Sequence, residues 1–216
     1  MKVAAIVPAY NELDRITLVL DAIKSAHTVD EIVVVSDGST DGTYELAAAD
    51  PTVKTVKLEV NGGKGGAMRA GAMSTDAEVV LFLDADLVGM DGEKVDSIIR
   101  PVAEDQADMS IGIFSGGRGI TDMAQVIMPF ISGQRAMRRE EFLAIPEIDS
   151  TRSGVESAIT KYFSARGLRV QRVMLAGCTH TMKEEKLGIV KGLASRMRMY
   201  YDIGKILLDG KELRKK

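Results

Sequence analysis

Val79-Val-Leu-Phe-Leu-Asp-Ala-Asp86 places two carboxylates directly after an uninterrupted apolar run. Three earlier runs, Val3-Ala-Ala-Ile-Val7, Glu31-Ile-Val-Val-Val35 and the stretch from Val53 to Val60, have the same Val/Ile-rich character. A strand buried on both faces needs such continuous apolarity, whereas a strand with one wet face alternates. Helical periodicity fills the gaps between the runs, which is the βαβ pattern of a parallel sheet. Ile16, Leu18, Val19, Leu20, Ile23 and Val29 give the first crossover helix its apolar face. The second begins near Thr43 and stops at Asp50-Pro51, because proline disfavours helix in the residue before it. The third is predicted from Gly66 to Ser74. Ligands of a doubly wound sheet sit at the carboxyl ends of its strands, which is where Asp84 and Asp86 fall.

Beyond residue 87 the alternation fades. The pattern predicts a helix over Gly92 to Ala103, a strand over Met109 to Phe114, helices over Ile120 to Phe130 and Val155 to Arg166, and a strand over Val170 to Leu175. Ser115-Gly-Gly-Arg-Gly119 reads as a flexible connector or a substrate lid. Val190 to Leu208 reads as a C-terminal helix, interrupted by Lys191, Arg196, Arg198, Asp202 and Lys205 and therefore amphipathic at most. The 216 residues, 45% hydrophobic, suffice for one substantial core and predict a single domain. Within it, residues 1–90 carry the regular alternation and 91–216 form a second, less regular half. A charged fraction of 27% and a net charge of −3 exclude a bulk pull toward nucleic acid. No stretch reaches the roughly 18 to 20 apolar residues of a membrane span. Cys178 is the only cysteine, so a disulfide framework is excluded; with no signal peptide in view, a cytoplasmic location is expected.

Polar clusters close all four early runs: Pro8-Ala-Tyr-Asn-Glu12, Ser36-Asp-Gly-Ser-Thr-Asp-Gly42, Asn61-Gly-Gly-Lys-Gly-Gly66 and Asp84-Ala-Asp86. Each alone also fits ordinary turn chemistry; their convergence on one sheet edge is the functional signal. Two carboxylates separated by one residue suit Mg2+ or Mn2+, which bind through one or two carboxylates plus substrate phosphates. Lys64 offers a point charge within a glycine-rich loop that a phosphate or sugar hydroxyl can approach. Neither P-loop spacing nor a dinucleotide fingerprint is present. Asp37 is a candidate acceptor for a base or ribose. His180, after the late strand, is a candidate third metal ligand, whereas His27 reads as structural. Glu156 starts a helix, where it either interacts with the dipole or takes a proton from an acceptor hydroxyl. Arg135 or Arg138 is suited to an acceptor phosphate or carboxylate, or to a solvated basic face.

Val7-Pro-Ala-Tyr-Asn-Glu12, Ser36-Asp-Gly-Ser-Thr-Asp-Gly42 and Asp84-Ala-Asp86, in that order and spacing, resemble the family 2 glycosyltransferases over the first 90 residues. The resemblance implies an α/β fold of the glycosyltransferase A type, a Rossmann-like αβα sandwich with a mostly parallel mixed sheet. It implies that Pro8, Tyr10, Glu12 and Asp37 line a nucleoside pocket, that Lys64 lies near the donor, and that Asp84 to Asp86 hold a diphosphate through Mg2+ or Mn2+. The second half resembles polyprenyl-phosphate sugar synthases and glucosyl-3-phosphoglycerate synthases. Gly154-Val-Glu156 matches the acceptor-side acid of the latter, and Thr179-His180 matches their metal-binding histidine. The resemblance implies that residues 1–90 are the nucleotide-sugar-binding half and 91–216 the acceptor-side half, and that the activity is transfer of a sugar from a UDP- or GDP-linked donor to a small phosphorylated or polyprenyl-phosphate acceptor. For the C-terminal helix, docking on the domain, dimerisation and a peripheral place on a membrane surface are alternatives. Rival readings are a nucleotidyltransferase, whose glycine- and arginine-bearing loop after the first strand is lacking here, and a non-catalytic sugar-nucleotide-binding protein.

Overall fold

The computed structural model describes residues 1–115, 132–151 and 154–180. The chain divides into two compact units, Met1–Thr179 and His180–Lys216; the architecture below is that of the first. The lid or connector reading of the glycine run, the 120–130 helix and the 190–208 helix fall on residues outside those described.

The predicted alternation is present. Strands β1 (Val3–Ala9), β2 (Glu31–Asp37), β3 (Val53–Leu58) and β4 (Val79–Phe82) are connected by helices α1 (Ile16–Lys24), α2 (Thr43–Ala48) and α3 (Lys64–Met73). A short strand β5 (Leu87–Val88) then leads to α4 (Gly92–Ala103) and β6 (Met109–Ser115). The later part supplies β7 (Arg135–Arg138), α5 (Arg139–Leu143), a 3-10 turn at Ile148–Ser150, α6 (Val155–Ala165), β8 (Val170–Ala176) and β9 (Thr179–His180). The seven-stranded sheet runs β3-β2-β1-β4-β7-β6-β8, and β5 pairs with β9 separately. Only β7 is antiparallel to its sheet neighbours, β4 and β6.

Both faces of the sheet are covered, which explains the continuous apolar runs. Val3, Ala5, Val7 and Ala9 of β1 pack with Ile16, Val19 and Ile23 of α1 and with Val95, Ile98 and Val102 of α4. Ile6, pointing the other way, joins Ala67 and Met68 of α3, Phe142 of α5 and Ile159 and Phe163 of α6. Side chains alternate across a strand, so each apolar run supplies two separate cores. The result is the expected αβα sandwich with a mostly parallel mixed sheet.

The structure differs from the sequence reading at three places. β3 ends at Leu58 rather than Val60, which is 78% exposed, and α3 begins at Lys64 rather than Gly66. β7 was not anticipated, because Arg135-Ala-Met-Arg138 carries no apolar run. Its Arg135, Ala136 and Met137 are nonetheless buried, so this segment is not a solvated basic face. No described helix is long and apolar enough to cross a membrane.

Asp96 of α4 clamps the connection from α1 to β2. Its carboxylate accepts from the His27 amide at 3.0 Å, the Thr28 amide at 2.9 Å and the Thr28 hydroxyl at 2.6 Å. Burial pushes the Asp96 carboxyl up, but these donors outweigh it and hold it below the ordinary value. A depressed folded-state pKa adds stability that is present above the unfolded value of about 3.9 and is lost as pH falls through the folded one. Asp96→Ala leaves those donors without an acceptor and is expected to lower the unfolding free energy at pH 7 by about 3 kcal/mol. In urea titrations this deficit should shrink toward pH 3; a deficit below about 0.5 kcal/mol at pH 7 would show that the clamp is idle.

Candidate active site

The loops after β1 and β2 form one hydrogen-bonded body. Asn11, at φ 56°, sits in the left-handed region that asparagine tolerates. Its side-chain oxygen accepts from the Thr40 amide at 2.9 Å, and its own amide donates to the Ser39 hydroxyl at 3.2 Å. Asp41 accepts from the Leu13 amide at 3.1 Å, while the Thr43 hydroxyl accepts from the Glu12 amide at 2.9 Å. Asn11, Ser39, Asp41 and Thr43 are thus the fasteners of the two motifs. They leave Pro8 half-buried, Tyr10 51% exposed and Glu12 half-buried, with the Arg15 guanidinium 3.7 Å from the Glu12 carboxylate.

Asp37 ends β2 and is 4% exposed. Its two carboxylate oxygens accept from the amides of Gly62 at 2.8 Å and Gly63 at 2.9 Å. The glycine-rich loop is therefore anchored by Asp37, and α3 starts immediately after it with Lys64. Gly65 serves a protein contact: its amide donates to the Thr151 carbonyl at 3.2 Å, and a Cβ there would lie 2.8 Å from that same oxygen. This close approach fixes the amino end of α3 against the turn that precedes α6.

The Lys64 ammonium donates to Asp84 Oδ1 at 2.5 Å and to Glu156 Oε1 at 2.6 Å, joining residues from α3, the end of β4 and the first turn of α6. Its side chain is 26% exposed. Burial alone pushes an ammonium pKa down; two carboxylates at hydrogen-bond distance outweigh it, and the net direction is up. Asp84 Oδ2 accepts from the Gln134 side-chain amide at 2.9 Å. Arg135, fully buried, donates through Nε to the Ser132 carbonyl and through Nη1 to the Thr160 hydroxyl, both at 2.8 Å. Burial lowers its pKa to about 10 against the pull of Glu156 and Asp84, so it remains a cation at neutral pH. Two cations thus face two anions at the carboxyl edge of β4. This is the switch point of the sheet, since β2 lies on one side of β1 and β4 on the other.

Of the residues singled out in the sequence, Lys64, Asp84, Glu156 and Arg135 form this one cluster. Asp37 adjoins it through the glycine-rich loop, and Asp86 follows two residues after Asp84, half-buried. Tyr10 and Glu12 belong to the β1 loop. Arg138 is engaged elsewhere, with Asp105 at 2.9 Å. His180 lies on β9 by its backbone, and its side chain is outside the described ones. Among the described residues, no three His, Cys, Asp or Glu side chains gather as a ready-made metal site. Gln134 carries no sequence signal because its partner lies far along the chain, Asp84 being 50 residues away, and Ser132 and Thr160 enter only through their bonds to Gln134 and Arg135.

Gly133 leaves room for the cluster. A Cβ at this position would overlap the Asp84 carboxylate and lie 2.7 Å from the Lys64 ammonium nitrogen. Gly133→Ala is therefore expected to displace both side chains and to cost about 1–3 kcal/mol of stability, the usual range for overpacking. Thermal unfolding checks the outcome, and a melting temperature equal to that of the parent would refute the crowding.

Comparison with known proteins follows the same lines. The sequence model of Glycosyl transferase family 2 matches residues 4–163. A dolichyl-phosphate beta-glucosyltransferase of Drosophila melanogaster is 36% identical over 132 residues, which is 53% of this chain and 40% of that protein. An undecaprenyl-phosphate mannosyltransferase of Micrococcus luteus is 34% identical over 93 residues, 40% of this chain and 38% of that protein. The chain thus spans well under half the length of these two relatives. Among solved structures, glucosyl-3-phosphoglycerate synthase from Mycobacterium tuberculosis in complex with Mn2+, UDP and glucosyl-3-phosphoglycerate shares the fold. Its TM-score is 0.68 at 24% identity, covering 83% of this chain and 72% of that one. With the motif loops, the sheet order and a match extending over most of its length, the chain belongs to glycosyl transferase family 2.

Proposed function

We propose that this chain carries a divalent-metal-dependent glycosyltransferase site that takes a sugar from a nucleoside-diphosphate donor. The observation that carries the reading is the Lys64 bridge between Asp84 and Glu156, which unites a donor-side and an acceptor-side acid on one cation. In this reading Pro8, Tyr10, Glu12 and Asp37 surround the nucleoside, and Lys64 and Asp84 lie at the diphosphate. Glu156 orients the acceptor oxygen or takes its proton as that oxygen attacks the anomeric carbon. Arg135, buried behind the cluster, sets a second positive charge near the two carboxylates and acts on the acceptor through Glu156.

The donor set at the end of β4 fits a hard divalent cation. Asp84 and Asp86 offer carboxylate oxygens, and Mg2+ or Mn2+ needs only one or two of these alongside phosphate oxygens. Asp86 would hold the ion, with His180 proposed as a further ligand on its sequence context. The metal's chemistry would be to offset negative charge on the departing nucleoside diphosphate.

The relatives' names favour a polyprenyl-phosphate acceptor, and that of the structural neighbour favours a small phosphorylated one. Both present a phosphate, so the site class is the same, and a lipid-linked acceptor would bring the protein to a membrane surface. The test is a thermal-shift panel of UDP-, GDP- and ADP-linked sugars with and without Mn2+, followed by turnover assays with the donor that binds. A ligand that binds only the native state raises its melting temperature. A Mn2+-dependent rise with one nucleotide, and sugar transfer from it, are expected; binding without transfer or donor hydrolysis would identify a non-catalytic binding protein instead.

A further inference from the structure

We infer that Gln134 is a positioning residue for Asp84, holding that carboxylate in place from the antiparallel strand side of the site. The inference rests on the reading of Asp84 as part of a donor site. Gln134 and its neighbour Arg135 are fully buried, and Ser132, on the other side of Gly133, is 8% exposed. Its Nε2 donates to Asp84 Oδ2 at 2.9 Å, leaving Asp84 Oδ1 to the Lys64 ammonium. The two donors approach different oxygens of one carboxylate, so together they fix its rotation about the last side-chain bond.

The orientation of the amide is itself determined. Gln134 Oε1 lies 3.0 Å from the Ser132 hydroxyl, whose single proton goes either to it or to the Gly112 carbonyl. Turning the amide over would set Oε1 against the Asp84 carboxylate, two acceptors with no proton between them. The Gln134 backbone carbonyl accepts from the Gly112 amide at 2.8 Å, which ties the segment to β6. Ser132 and Gly112 therefore hold Gln134, and Gln134 holds Asp84.

A neutral amide suits this place. The cluster already contains two cations, Lys64 and Arg135, balanced by Asp84 and Glu156. A third cation would upset that balance and an apolar side chain would remove one of the donors to Asp84, whereas glutamine donates a hydrogen bond without adding charge. Groups that orient a functional carboxylate from behind are worth about 10- to 100-fold when removed from comparable sites.

The test uses the 216-residue chain selectively labelled with 15N-glutamine, whose four glutamines are Gln106, Gln125, Gln134 and Gln171. Gln134→Met identifies the Gln134 side-chain amide signal by its loss. That signal is expected to be protected from solvent exchange and to shift in Asp84→Ala. An unprotected signal, or one indifferent to Asp84→Ala, overturns the inference. Gln134→Met, near-isosteric and apolar, is also expected to lower donor turnover about tenfold or more while melting falls by only several degrees, so that the fold is kept at the assay temperature. Turnover within twofold of the parent overturns the positioning role. If the parent protein turns over no nucleotide-linked sugar, the functional reading fails, and the amide signal alone decides whether Gln134 holds Asp84.

Discussion

Lys64→Met should depress donor turnover by about 100-fold, the usual scale for losing one preorganised electrostatic group, and should weaken the fold as well. The substitution keeps most of the apolar stem but leaves Asp84 and Glu156 without the ammonium they share at 2.5 and 2.6 Å. Removing one partner of a buried ion pair costs about 3–5 kcal/mol. The Lys64 side chain is 26% exposed, so water recovers part of that loss, and about 2–3 kcal/mol is expected in urea unfolding at pH 7. The pH dependence has a definite sign. A raised folded-state pKa gives stability that is fully present below the unfolded lysine value of about 10.4 and is lost as pH rises through the higher folded value. The difference between parent and variant should therefore be level from neutral pH to about pH 10 and narrow only above it. An unfolding free energy within about 0.5 kcal/mol of the parent, together with near-normal turnover, would remove Lys64 from the site.

Asp86→Ala should have the larger effect on chemistry. If Asp86 holds the divalent cation at the diphosphate, its loss forfeits several kcal/mol of charge stabilisation, equivalent to about 1,000-fold in turnover. The Mn2+-dependent part of the donor thermal shift should disappear with it, while melting of the ligand-free protein changes by only a few degrees. Retention of Mn2+-dependent donor hydrolysis at the parental rate would exclude Asp86 as a ligand and shift attention to Asp84.

The legible part of the fold was the part built from repetition. Four Val/Ile runs separated by amphipathic helices dictate a parallel sheet buried on both sides, and β1 to β4, α1 to α3 and α4 all stand close to where the periodicity puts them. Local patterns also exposed residues at strand ends, because turn chemistry and carboxylates concentrate there. What stayed hidden was set by distant partners. Arg135-Ala-Met-Arg138 has no strand signature of its own and becomes β7 because β4 and β6 hold it between them. Gln134 looks like any loop glutamine until the fold brings it to Asp84.

The motif glycines and polar residues also proved to have mixed duties. Asn11, Ser39, Asp41 and Thr43 fasten two loops to each other, and Gly62 and Gly63 give their amides to Asp37. A sequence pattern does not separate a residue that touches a ligand from one that shapes the loop around it, because both need the same small, polar side chains. Hydrogen-bond partners separate some of them here: Asn11, Ser39, Asp41 and Thr43 hold loop to loop, whereas Lys64 joins Asp84 to Glu156.

The Lys64 bridge also bears on modularity. It joins residues 92 positions apart, and the same knot draws Arg135 toward acids from both halves of the chain. A chimera that exchanged the later half for another scaffold would keep the Lys64–Asp84 pair but strip it of Glu156, Gln134 and Arg135 unless their equivalents travelled with it. The seam between residues 1–90 and the later part is thus an electrostatic one, and on the proposed reading new acceptor specificity is better sought in the walls around it than by cutting across it.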